Sequence, residues 1–493
     1  MPRRVNAAIP TSPQAKLSAV VKSARDTMRK DAGLNGDLDR IPQLAWLLFL
    51  RAFDGLESRR EVVDRKFRPA IEAPYRWRDW AADPVAGRTG DRLTRFVNND
   101  LLPYLRSLRG TVSEDPRDVL SAVFKETFNR MLSGYLLRDV VNKVNEVNFA
   151  SADDIHTMAH LYESMLREMR DAAGDSGEFY TPRPLIRFVT QQVDPRLGET
   201  VLDPACGTGG FLVETLEHLR PHLRNVEELR SLDRDLRGVE KKPLPYLLGM
   251  MNLLLHEVQQ PHIVRDNALA RPLSDIRKAD RVDVVLTNPP FGGEEEKGIQ
   301  ANFPEPTRTA ETAWLFLQLV QRILDQGGRC GIVVPNGVLF ADGLGARIKE
   351  RLLAECNLHT VVRLPQGVFA PYTTIPTNLL FFEKTGRTKE VWFYELSPPQ
   401  GRKAYSKTKP LRFEEFADCQ AWWGGQNRKD RQETEHAWRV PIADIEANYN
   451  LDLPNPNRAD DLAHRPPQEL VTELLKTEEE ILDLLREIER ELA

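Results

Sequence analysis

The chain has 493 residues, 41% of them hydrophobic and 29% charged, and its 68 Lys+Arg against 73 Asp+Glu leave a net charge of −5. That length allows two or three domains, while a pI near 6.1 and a mean hydropathy of −0.45 argue against a strongly basic nucleic-acid binder or a membrane-embedded chain. No apolar stretch follows the basic N-terminus, and four scattered cysteines (Cys206, Cys330, Cys356, Cys419) form no CxxC, so a soluble cytoplasmic protein without disulfides, zinc knuckle or membrane contact is expected.

In chain order, residues 1–165 read as a helical domain. Ala45, Leu48, Phe49 and Phe53 keep helical spacing behind Pro42, and Phe124, Phe128, Met131, Leu132 and Tyr135 keep it again. Pro74–Gly90 reads as a loop and Asp171–Gly177 as a hinge. Over 170–385, β-type runs alternate with helical ones: Thr200–Leu202, Val282–Thr287, Arg329–Val334, Thr360–Leu364 and Thr377–Phe382, with a helix at Glu311–Asp325 capped by Gly327–Gly328. The alternation predicts an α/β fold with a doubly wound, mostly parallel sheet that binds ligands at its strand C-termini. Residues 386–457 extend that domain. In 458–493, Val471, Leu474, Ile481, Leu485, Ile488 and Leu492 repeat at heptad spacing, which suits a helix packed on its own domain or docked on a partner subunit.

Two loops carry chemistry. The first predicted strand runs into Asp203-Pro204-Ala205-Cys206-Gly207-Thr208-Gly209-Gly210. Its glycines let a ligand approach the backbone at a helix N-terminus, and the GxGG spacing differs from a dinucleotide GxGxxG. An acidic residue at that strand end suits an ammonium, as on the methionyl part of S-adenosylmethionine. Glu240, after Arg237-Gly238-Val239, is placed to accept two ribose hydroxyls, and Asp266-Asn267 could meet an adenine edge or form an Asx turn. The buried run Val282–Thr287 leads into Asn288-Pro289-Pro290-Phe291. There the Asn288 side-chain oxygen and the Pro289 carbonyl can accept the two N–H bonds of a base's exocyclic amine, and Phe291 can stack on that base once it has left the duplex.

DPACGTGG followed by NPPF resembles the adenine-type amino-methylating DNA methyltransferases. Gly177–Pro184 (GEFYTPRP), Met251–His256 (MNLLLH) and Leu364–Phe369 (LPQGVF) narrow the resemblance to the modification subunit of type I restriction-modification systems. The resemblance implies an S-adenosylmethionine-dependent fold with a helical N-terminal domain for DNA and partner contacts and a C-terminal assembly helix. It implies that Tyr180, Thr181 and Pro182 close over the cofactor's methionine end, that Asp203, Gly207, Thr208 and Gly209 hold its methionyl part, Glu240 its ribose and Asp266 its adenine, and that Asn288, Pro289 and Phe291 carry catalysis. Arg265-Asp266-Asn267 departs from the family's usual Gly-Asp followed by Thr or Ser. The implied partners are double-stranded DNA, a separate specificity subunit, a second copy of the chain and a restriction/translocase subunit.

The chain after Phe382 is too short for a bipartite DNA reader of its own. Its basic stretch, Lys384, Arg387, Lys389, Arg402, Lys403, Lys407, Lys409 and Arg412, could touch phosphates or simply face solvent. His156 and His160 lack a third ligand and read as structural, so no metal is expected, and Cys206 reads as a packing residue. There is no Pro-Cys dipeptide and no GxxxxGK[ST], which argues against cytosine-carbon methylation and against an ATP-driven translocase. Two rival readings stay open: methylation of a protein glutamine or other amine, and a non-catalytic assembly subunit.

Overall fold

The computed structural model describes residues 13–110, 115–147, 181–258, 260–370, 373, 375–399, 401–406, 408–457 and 478. At its centre lies one sheet of nine strands: β1 (Val201–Asp203), β2 (Leu236–Glu240), β3 (His262–Arg265), β4 (Val282–Thr287), β5 (Leu324–Pro335), β6 (Asn357–Arg363), β7 (Thr377–Glu383), β8 (Glu390–Glu395) and β9 (Ala437–Pro441). They lie in the order β3-β2-β1-β4-β5-β7-β6-β8-β9. All run parallel except β7 and β9, which oppose their neighbours. β1 and β7 are buried nearly throughout, as expected of strands covered on both faces. The expected mostly parallel, doubly wound sheet is therefore present, and β8 and β9 carry it past residue 385. Strand order reverses at β1, with β2 and β3 to one side and β4 to the other, which opens a crevice at the carboxyl ends of β1 and β4.

The longer helices of the N-terminal region are α1 (Pro13–Met28), α2 (Asp37–Val63), α3 (Pro116–Phe124) and α4 (Gly134–Asn145). Beside the sheet run α5 (Arg183–Val193), α6 (Gly210–Leu219), α7 (Pro243–Leu255) and α8 (Thr312–Ile323). The sequence of α7, PLPYLLGMMNLLL, is apolar nearly all round, the mark of a helix buried on every side. It packs on β2 and β3 and also on α2 and α3, so one hydrophobic core runs unbroken from Trp46 to Leu254 and Phe381. An ion pair between Arg265 and Glu126 closes the same junction.

Several local expectations are corrected. Pro42 lies inside α2, which starts at Asp37. Phe124 to Tyr135 is not one helix: α3 ends at Phe124 and α4 begins at Gly134. Between them, Arg130 N–H donates to Gln43 Oε1 at 2.9 Å, while Leu132 and Ser133 donate to the Asp31 carboxylate at 3.0 and 2.9 Å. Side chains from α2 and from the turn after α1 thus take the donors that a helix would have used, and Phe128, Leu132 and Tyr135 stand exposed. Pro74–Gly90 contains a short helix, Trp77–Trp80, with both tryptophans buried.

The Gly327–Gly328 pair caps no helix. α8 stops at Ile323, β5 starts at Leu324, and the pair lies in a register shift, where Gly327 N–H meets Lys384 O and Lys384 N–H meets Gly328 O. Lys384 Nζ instead donates to Gln321 O at 2.6 Å and Leu324 O at 3.1 Å, so it caps α8 and is withdrawn from the basic surface.

The hinge Asp171–Gly177, the residues Tyr180, His156, His160 and Lys407, and the heptad positions of 458–493 lie outside the described residues. All four cysteines are buried and unbonded. Among the described residues no helix is long and apolar enough to cross a membrane, and no group of three His, Cys, Asp or Glu could hold a metal ion.

Candidate active site

β1 ends on Asp203, and residues 204–209 turn the chain into α6. Gly207 and Gly209 have φ of +54° and +76°, in the left-handed region where a side chain is strained. The turn is locked by hydrogen bonds from Cys206 N–H to Val239 O (3.0 Å) and from Gly209 N–H to Cys206 O (2.7 Å). Thr208 is buried, and its carbonyl accepts from Asn252 Nδ2 at 3.0 Å. Cys206 is a packing residue, so close to Gly238 that a Cβ there would meet its sulfur at 2.9 Å. Burial raises its thiol well above the ordinary range, which removes it as a nucleophile.

Three carboxylates sit at the ends of β1, β2 and β3. Asp203 is 2% exposed; its Oδ1 accepts from Thr287 Oγ1 at 2.7 Å and from Ala205 N–H at 3.1 Å. Desolvation pushes its pKa up to about 7, against the pull of these two hydrogen bonds, and the nearby Glu240 adds to the rise. Glu240 is also buried and raised by desolvation. Its two oxygens accept from Gly207 N–H (2.9 Å) and Lys242 N–H (2.6 Å), so it clamps the glycine loop onto the end of β2. Asp266 is exposed; its N–H bonds Glu240 O at 3.1 Å and its Oδ1 accepts from Asn267 N–H at 2.7 Å.

Glu240 and Asp266 open onto a cleft of about 260 Å³, also lined by Pro204, Ala205, Lys241, Asn267, Pro290, Glu295 and Phe316. Asp203 lies beneath this lining and is linked to it through Ala205.

β4 delivers Asn288 to the same edge. Asn288 Nδ2 donates to Thr181 Oγ1 at 2.9 Å, while its Oδ1 is buried and has no hydrogen-bond partner among the described residues. Pro182 stands at the N-terminus of α5. Pro290 O accepts from Thr312 Oγ1 at 2.8 Å, and Thr312 N–H bonds Gly293 O at 3.0 Å, which staples the segment after Asn288 to the start of α8. Phe291 is half-buried and meets Phe369 edge-on, with centroids 6.1 Å apart at 82°. Phe369 closes the Leu364–Phe369 segment that follows β6, so two separate sequence motifs meet here.

The structure thus brings Asp203, Glu240, Asp266, Thr181, Asn288 and Phe291 to one edge of the sheet. Thr287, Thr312, Lys241 and Glu295 also belong to it, and no sequence motif marked them. Thr287 reads as an ordinary strand former and Thr312 as a helix start. The acidic run Glu294–Glu296, directly after the Asn288–Gly293 motif, was the one visible signal.

Residues 153–464 match the model of the N-6 DNA Methylase family, and residues 17–144 match that of the HsdM N-terminal domain. Over 478 residues, 96% of both chains, the sequence is 47% identical to the methylase subunit of the type I restriction enzyme EcoEI of Escherichia coli. Among solved structures, a modification subunit ascribed to a type I restriction enzyme of Vibrio vulnificus YJ016 superposes with a TM-score of 0.84 at 53% identity, covering 93% of this chain and 100% of that one. A chain from a structure on complex assembly and conformational transition of the type I R-M system gives 0.75 at 42% identity, over 98% and 99%.

Proposed function

This chain belongs to the N-6 DNA methylase family as a methylase subunit of the type I restriction-modification class, and from there we propose its reaction: transfer of a methyl group from S-adenosylmethionine to N6 of an adenine turned out of double-stranded DNA. The observation that carries this reading is Asn288 Oδ1, a buried acceptor without a partner at the strand end beside a carboxylate-lined cleft. A buried carbonyl oxygen left unpaired costs on the order of 1–3 kcal/mol, and an incoming N–H donor recovers that.

The donor set fits the cofactor. Asp203 Oδ1 is held by Thr287 and Ala205, which leaves Oδ2 for the ammonium. Gly207, Thr208 and Gly209 would hold the methionyl part, Glu240 the ribose and Asp266 the adenine, with Thr181 and Pro182 at the methionine end. Bound S-adenosylmethionine supplies a methyl group already activated on a sulfonium, so the chain's own work is to hold, orient and polarise.

The target amine is a poor nucleophile because its lone pair is delocalised into the ring. Asn288 Oδ1 and the Pro289 carbonyl accept its two N–H bonds, pull the nitrogen toward tetrahedral geometry and stabilise the positive charge that grows on it. The Asn288 NH2 donates to Thr181 Oγ1, and the oxygen is left for the base. Neither acceptor is basic enough to keep the proton that the nitrogen sheds after transfer, so that proton passes to water. Phe291, backed by Phe369, stacks on the extruded ring.

As in its class, a separate specificity subunit chooses the DNA site, and a second copy of this chain and a restriction/translocase subunit complete the assembly. In the assembled complex, Asn288→Ala is expected to lower methyl transfer by about 10²–10³-fold or more while S-adenosylmethionine affinity stays within about threefold. Cofactor binding that collapses together with transfer would contradict the division of roles.

A further inference from the structure

Seven residues beyond Asn288, Glu295 is 8% exposed. Its Oε1 accepts from Lys241 Nζ at 2.8 Å and its Oε2 from Asn267 Nδ2 at 3.1 Å. Lys241 directly follows Glu240, and Asn267 directly follows Asp266. One carboxylate, carried on the loop that bears Asn288 and Phe291, therefore holds the neighbours of Glu240 and Asp266. Its backbone is fixed as well: Glu295 N–H bonds Ala310 O at 2.9 Å, and Gln300 Nε2 bonds Glu295 O at 2.7 Å.

We propose that Glu295 is a positioning residue that sets the spacing between the adenosine end of the cofactor and the Asn288–Phe291 loop, with Asn267 as its dedicated partner. This rests on the reading of the cleft as the S-adenosylmethionine site. It gives the departure at position 267 a physical reason. Asn267 Oδ1 accepts from Leu269 N–H at 3.0 Å, so the amide cannot turn over and its NH2 must face Glu295. An asparagine serves both neighbours at once because its acceptor and its donors sit on separate atoms.

That pinned orientation dictates how substitutions behave. In Glu295→Gln the new amide can keep its oxygen on Lys241, but its NH2 then faces the Asn267 NH2, donor against donor. In Asn267→Asp two carboxylates meet. In the double variant Asn267→Asp/Glu295→Gln, the introduced amide keeps its oxygen toward Lys241 and gives its NH2 to the introduced carboxylate, which still caps Leu269. Each single change breaks the link and the pair restores it.

The test uses the full chain: S-adenosylmethionine affinity by calorimetry and, without cofactor, hydrogen exchange of the amides at 267–270, with melting temperature as the check on folding. Each single variant is expected to lose about tenfold in affinity, the order of one charge-assisted hydrogen bond, and to exchange faster at Leu269. The double variant should return to within about threefold of the parent. Single variants that bind and exchange like the parent would overturn the proposal, as would losses that simply add in the double variant. If the parent chain fails to bind S-adenosylmethionine, the reading of the cleft falls, while exchange in the cofactor-free chain still decides whether Glu295 and Asn267 act as a pair.

Discussion

At the scale of single residues, Asp203 must be ionised to hold an ammonium, yet it sits where ionisation is costly. Burial raises its pKa to about 7, so below that pH a proton has to leave before the ammonium can bind. Affinity for S-adenosylmethionine is therefore expected to fall as pH drops from 7 toward 5.5, by up to about tenfold per unit. In Asp203→Asn the affinity should be lower throughout and that slope absent; calorimetry across this range measures both. A slope that survives Asp203→Asn would assign the titration to another group. The motif around Asp203 was legible because its glycines and acid are contiguous. Its partner Thr287 was not, because the hydroxyl that tunes the acid lies 84 residues away in sequence and carries no local mark. The same holds for Glu295, whose partners Lys241 and Asn267 come from two other strand ends.

At the scale of elements, α2 buries a charged cluster beside its apolar face. Arg78 bridges Asp54 (2.8 Å) and Glu61 (2.5 Å), and Glu57, 3% exposed, accepts from Ala70 N–H. Desolvation raises Glu57 from its usual 4.5 to about 7. The folded chain thus takes up a proton between those values. The contribution to stability is fully present below about 4.5 and is lost as pH rises through 7. Glu57→Gln is expected to stabilise the fold at pH 8 by on the order of 1–3 kcal/mol, with a gain in melting temperature that shrinks toward pH 5. A gain that is equal at both pH values would mean that the carboxylate's charge is not the cause.

Periodicity located α2 and α8 because each presents a continuous apolar stripe. It failed at 125–133, where Asp31 and Gln43 take the backbone donors from outside. It failed again at Gly327–Gly328, where a strand irregularity and a helix cap look alike in sequence. Helix ends and strand shifts are decided by tertiary partners, which a local pattern does not contain.

At the scale of the molecule, the alternation of strands and helices over 170–385 was enough to anticipate the sheet, because buried parallel strands read as near-continuous apolar runs. The strands β8 and β9, at the far side of the sheet from β3, were less legible, since Glu390–Glu395 and Ala437–Pro441 are separated by a long stretch that holds only short helices. The continuity of the core through α7 was not legible either: a helix apolar on every side tells that it is buried, not against what. That continuity ties the N-terminal helices to the strand ends that carry Glu240 and Asp266, so the domain expected to touch DNA and the cleft expected to hold the cofactor are packed as one piece.

The proposed function is methylation of adenine, with Asn288 polarising its amine, at sites chosen by a separate subunit. It is tested most directly by mapping modified adenines in a methylation-free host that carries this chain with its specificity subunit, parent against Asn288→Ala. N6-methyladenine at one split, gapped motif in the parent and its disappearance in the variant are the predicted result; the same methylated motif in both maps, or no methyladenine in either, would contradict it.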